Sequence, residues 1–170
     1  MAANLDLLVP EFKPLAIQLL DNCQNRGIEM RPNETLRSPF SQAILWRQSR
    51  AIKEITEKIN EFEAKGASFL AHCLQSVGPQ HGDHVTNAPP GLSWHKYGEA
   101  IDCIWIVDGK SLDEKTLVNG INGFNIYANE VQKLHLEAGL FWASFADPLM
   151  CNSGQHRVLK EYSLCLKFHQ

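Results

Sequence analysis

The segment Ser93-Trp94-His95-Lys96-Tyr97-Gly98-Glu99-Ala100-Ile101-Asp102 sets an imidazole and a carboxylate seven residues apart, with small residues at fixed offsets between them. Asp102 leads into Cys103-Ile104-Trp105-Ile106-Val107. That apolar run is too short for a helix and rich in β-branched and aromatic residues, which predicts a buried strand. A carboxylate at the start of a buried strand needs a partner, because an unpaired buried charge is very costly. A divalent metal shared with His95 answers that need, and a hydrogen-bonded pair without metal is the plainer alternative.

A hydrolytic zinc site takes three protein ligands from His, Asp or Glu and keeps one position for water. His95 and Asp102 supply two. The other histidines are His72, His81, His84, His135, His156 and His169. His135 falls within an amphipathic helical pattern and reads as a surface or packing residue, while His169 is next to the end, where fraying is expected. His156 follows the turn-like Cys151-Asn152-Ser153-Gly154 and precedes an apolar, strand-like run, which makes it the best third ligand. The cluster His81-Gly82-Asp83-His84 competes with it, although it sits in a Gly/Pro loop with no regular element to orient it.

The elements that must hold these groups are legible as patterns. Phe12, Leu15, Ala16, Leu19, Leu20 and Cys23 share one helical face, and Gly27 follows as a stop. Ile28 to Leu36, broken by Pro32, suits a brief edge strand and turn. Ser38-Pro39 is a capped helix start, from which one long amphipathic helix runs to about Ala64. Gly66 interrupts, and Ala67 to Val77 forms a further helix. Gly78 to Gly91 is a loop punctuated by Pro79, Gly82, Pro89 and Pro90. Beyond the strand, Asp108-Gly109 turns the chain and Phe124 to Ala138 is helical, closed by Gly139. Leu140 to Trp142 and His156 to Leu159 read as short strands. Helices and strands without regular alternation predict an α+β class, with a small, mostly antiparallel sheet flanked by helices and a single zinc in the cleft.

With 170 residues the chain is expected to be one domain, residues 1–170, with a helical insertion at about 51–78. A formal net charge of −3 and scattered basic residues give no nucleic-acid footprint. No apolar stretch approaches the ~18–20 residues of a membrane span, and the N-terminus lacks the marks of a secretory signal. Synthesis in the cytoplasm follows as the expectation. The five cysteines are odd in number without Cys-x-x-Cys spacing, so they read as reduced, mostly core thiols.

The Ser-x-His-x-x-Gly-x-Ala-x-Asp block resembles that of the zinc peptidases grouped as D-alanyl-D-alanine carboxypeptidases and L-alanyl-D-glutamate endopeptidases of peptidoglycan, many phage endolysins among them. Thr35-Leu36-Arg37-Ser38-Pro39-Phe40-Ser41-Gln42, followed by Trp46 and Arg50, is similar to that family's Arg-Ser-x-x-x-Gln segment. Ala138-Gly139-Leu140-Phe141-Trp142 is similar to its Gly-Leu-x-Trp stretch. The blocks come in family order from about Leu15 to Leu159.

The resemblance implies that His95, Asp102 and His156 hold zinc, that Arg37 donates to the scissile carbonyl oxygen, and that Ser93 contacts the substrate backbone. One departure stands out. The family's acidic residue three positions before its last histidine is here Ser153, so the general base is expected in Asp147, with Glu161 as a less well placed candidate. A different alignment treats Asp147-Pro148-Leu149-Met150 as the family's Asp-x-x-His, with methionine replacing the ligand. Arg37 as a salt-bridged surface residue, Ser93 as a turn cap, and the tryptophans as core or cleft wall are the plainer alternatives.

The implied activity is hydrolysis of a stem-peptide bond of peptidoglycan, first the L-alanyl-D-glutamate link, by a monomeric lysin that reaches the wall after release through a holin pore. A D-alanyl-D-alanine carboxypeptidase or dipeptidase is the nearest alternative. A secretion-system toxin shares the chemistry, and a non-catalytic descendant that binds zinc or peptidoglycan is a reading of a different class.

Overall fold

The computed structural model describes residues 3–141 and 150–152. In chain order its elements are α1 (Lys13–Asn25), β1 (Glu29–Glu34), α2 (Pro39–Arg47), α3 (Ile52–Ala64), α4 (Ser68–Ser76), β2 (Ala100–Val107), β3 (Lys110–Ser111), α5 (Gly123–Lys133), β4 (Glu137–Ala138) and β5 (Met150–Asn152). Its described residues fall into two compact units, 3–36 with 97–141 and 150–152, and 37–96. The α+β class expected from the sequence holds.

The first unit is built on an antiparallel sheet of order β1-β2-β5-β4, with β3 folded back on the end of β2. The run that follows Asp102 is its longest strand and is buried along most of its length. Trp105 is buried from β2 and meets Phe124 of α5 edge-on, with ring centroids 6.2 Å apart. On α1 the predicted face is the buried one: Ala16, Leu19 and Cys23 enter the core with Phe12, Tyr127 and Val131. Gly27 ends that helix at φ 74°, a conformation that favours glycine.

The second unit is helical. Trp46, Ile55, Phe62, Leu70 and Leu74 from α2, α3 and α4 form its core. The Ser38 cap is made as expected, its Oγ accepting from the Ser41 N–H at 3.0 Å.

Five expectations need correction. The single helix running to about Ala64 is two, because the chain breaks at Ser49, which takes a left-handed φ of 61° before α3 begins at Ile52. Asp102 does not open its strand; β2 starts at Ala100, so the carboxylate is the third residue of a paired segment. The helix expected to reach Ala138 stops at Lys133; His135 follows it with φ 57°, and Glu137–Ala138 is a strand. Leu140 and Phe141 belong to a 3₁₀ turn rather than a strand.

Cys151 and Asn152, read as part of a turn, are sheet residues, paired on one side with Ile101 and Ala100 and on the other with Ala138 and Glu137. Period and propensity missed β5 because three residues are too few to show a pattern. The expected strand at His156 to Leu159 lies outside the described residues.

Candidate active site

Three of the sequence-predicted groups, Arg37, Ser93 and His95, belong to the second unit. His95 stands on a short 3₁₀ turn, Trp94–Tyr97, that is closed by the Lys96 N–H donating to the Ser93 carbonyl at 3.0 Å. The imidazole is 2% exposed and Ser93 8%. Arg37 sits just ahead of α2, and its backbone N–H donates to the His95 carbonyl at 3.0 Å. The chain thus joins the start of α2 to the histidine turn across nearly sixty intervening positions, and the two sequence blocks meet at their backbones.

The Arg37 guanidinium is held from the same helix. Its Nη1 donates to Gln42 Oε1 at 2.8 Å. Gln42 is itself 2% exposed, and its Nε2 donates to the Ala88 carbonyl at 2.7 Å and to Thr86 Oγ1 at 3.3 Å. Thr86 Oγ1 also accepts from the Ala88 N–H at 3.2 Å, and the Thr86 carbonyl accepts from Arg50 Nη2 at 2.8 Å. Arg50 in turn lies 4.2 Å over the Trp46 ring and donates to the Trp46 carbonyl. The Gly/Pro loop is therefore pinned at Thr86–Ala88 to α2 and its following turn, shortly before the chain reaches Ser93. His84 of the competing cluster bonds Asn87 Oδ1 at 2.9 Å within that loop, where both are exposed.

Asp102 belongs to the first unit. On β2 it lies opposite Glu34 of β1 and opposite Met150 of β5. Beside it the side chains are thiols and a phenol. Burial, assisted by the Asp102 charge, pushes the Cys103 and Cys151 thiols and the Tyr127 hydroxyl above their ordinary values. Cys23, raised by burial and then by the Glu130 carboxylate, reaches about 12, and Cys73 in the second unit reaches about 11. All four described cysteines are free and buried, so they are protonated core residues as expected.

Asp147, His156, Ser153 and Glu161 lie outside the described residues. Among the described residues no three of His, Cys, Asp and Glu converge as metal donors. The position facing Asp102 across the strand pair holds Met150, whose thioether is not among zinc's usual donors. His95 and Asp102 each carry a donor type that zinc takes, one in each unit. Gln42 was given no role in the sequence reading. The signal for it is its offset of one helical turn and a residue from Arg37, which lets a side chain on the first turn of α2 reach back.

A protein-family model described as VanY, D-alanyl-D-alanine carboxypeptidase, matches residues 6–145. No curated protein matches the chain. Among solved structures the chain is similar to a point mutant of the vancomycin-resistance D,D-pentapeptidase VanY from a VanB-type resistance cassette, crystallised in complex with Zn(II). That likeness has 16% identity and a TM-score of 0.47, covering 86% of this chain and 72% of that one. Among the described residues no helix is long and apolar enough to cross a membrane.

Proposed function

The chain belongs to the VanY family of D-alanyl-D-alanine carboxypeptidases, and from that premise we propose that it is a zinc-dependent peptidase acting on the stem peptide of peptidoglycan. The observation that carries this reading is the family match over residues 6–145, which spans Arg37, Ser93, His95 and Asp102. In the proposal residues 1–170 act as one monomeric peptidase domain, made in the cytoplasm and acting at the wall after release, with the helices at about 51–78 as an insertion.

His95, Asp102 and His156 are the proposed zinc ligands, His156 coming from outside the described residues. When bound, zinc supplies Lewis acidity toward a carbonyl oxygen and brings the pKa of a water to ~7. The Arg37 guanidinium is a fixed cationic donor for the oxygen of the scissile carbonyl as negative charge gathers there. Preorganised donors of this kind contribute roughly 3–4 kcal/mol, and a planar guanidinium holds its direction better than an ammonium does. Ser93 aligns the substrate backbone, and Asp147 takes the proton of the attacking water, with Glu161 as the alternative base.

The finer reading is cleavage of the L-alanyl-D-glutamate link, one of the two activities that the sequence blocks imply. The family's own description favours a second reading, removal of the terminal D-alanine. Mass spectrometry of defined muropeptides after incubation with zinc-loaded protein separates them. Cleavage at L-alanine releases the remainder of the stem, whereas carboxypeptidase action removes a single alanine. Intact substrate would refute both and leave a non-catalytic wall- or zinc-binding descendant, a reading that Met150 opposite Asp102 favours. Zinc content of His156→Ala and Met150→His tests the ligand set: loss of metal in the former supports His156, and a gain in the latter speaks for the methionine alignment.

A further inference from the structure

We propose that Gln42 is a positioning residue for Arg37, an inference that rests on the peptidase reading only for its kinetic consequence. Gln42 is nearly inaccessible, and its amide is read from both ends by groups that have no choice of role. Arg37 Nη1 can only donate, so the atom 2.8 Å from it is an acceptor. The Ala88 carbonyl can only accept, so the atom 2.7 Å from it is a donor. Turning the amide over would set donor against donor and carbonyl against carbonyl, so one orientation is fixed.

Thr86 Oγ1 takes the second Nε2 proton at 3.3 Å, and Arg50 holds the Thr86 carbonyl from the other side at 2.8 Å. The amide is therefore immobile, and so is the lone pair it offers to Arg37. An arginine side chain otherwise carries much rotamer freedom. Gln42 restrains the guanidinium at Nη1 before any substrate binds, while the Arg37 backbone is tied to the His95 carbonyl. Gln42 thus acts through Arg37 and needs no contact with the reacting atoms.

The test uses Gln42→Leu, Gln42→Glu and Arg37→Ala in the full chain. Side-chain 15N NMR of the Arg37 guanidinium, assigned by its loss in Arg37→Lys, reports rotation about the Nε–Cζ bond. That rotation is slower in the parent protein than in Gln42→Leu. With a muropeptide substrate, Gln42→Leu lowers kcat on the order of 10²-fold at little change in KM. It has no further effect in the Arg37→Ala background. Gln42→Glu keeps an acceptor for Arg37 and keeps the guanidinium slow, but it sets an oxygen against the Ala88 carbonyl and recovers only part of kcat.

An Arg37 signal that Gln42→Leu leaves unchanged overturns the proposal. So does an equal loss of kcat with and without Arg37. If the parent protein cuts no muropeptide, the peptidase reading fails and the NMR arm alone decides the positioning role. Should Gln42→Leu not fold, the decision passes to Gln42→Glu, in which a freed Arg37 sinks the idea and a restrained one supports it.

Discussion

The thiols of Cys103 and Cys151 and the hydroxyl of Tyr127 all feel the Asp102 charge, and burial raises each of them. Cys103 could be assigned to the core from the apolar run. That Cys23, Cys103, Cys151 and Tyr127 crowd around the Asp102 end of β2 depends on pairings that no window of sequence contains. The same crowding makes a pH prediction. Cys23 moves from 9.0 to about 12, burial being the larger cause and Glu130 the next. A raised pKa means that above pH 9.0 the unfolded chain releases a proton that the folded chain keeps. The stability tied to this group is therefore full below pH 9.0 and is lost as pH rises toward about 12. Urea unfolding from about pH 8 to about pH 10.5 should show stability declining with pH, and the decline should be shallower in Cys23→Ala.

Element boundaries were harder to read than element types, and the reasons are particular. Between Arg47 and Ile52 the sequence keeps its polar and apolar spacing, so nothing in the pattern marks the left-handed Ser49 that divides α2 from α3. A serine there is strained where glycine is not. Ser49→Gly should raise the unfolding free energy by about 0.5–1 kcal/mol, measured by chemical denaturation, and a loss would mean that the serine side chain is needed at the break. The opposite case is Gly98, inside the motif that carries His95 and Asp102. It has φ 67°, and an added Cβ would stand 2.6 Å from the Leu7 carbonyl oxygen, a backbone atom with nowhere to go. Its own carbonyl accepts from the Val9 N–H at 3.0 Å. Gly98→Ala should cost about 2–4 kcal/mol, seen as a lowered midpoint in thermal or urea unfolding. An unchanged midpoint would show that this turn does not hold the N-terminal segment.

On the scale of the whole molecule the class and the family were legible in the sequence, and the family match over residues 6–145 spans all three motif blocks. Which donors complete a metal site is a question of convergence, and spacing alone does not answer it. Under the proposed function, a chelator should abolish muropeptide cleavage and added zinc should restore it. Zinc at a hundredfold excess over its Kd should add about 2.7 kcal/mol to stability, and a melting temperature indifferent to chelation would argue against resident zinc. The position of β5 reaches further. It is the next-to-last strand in the sheet order and, among the described residues, the last along the chain, filling the gap between β2 and β4. During synthesis the Ala100–Asp102 edge must wait, its peptide groups unsatisfied, until Met150–Asn152 has left the ribosome. A message cut short before codon 150 would release a product with that edge bare, ready to capture strands from other chains.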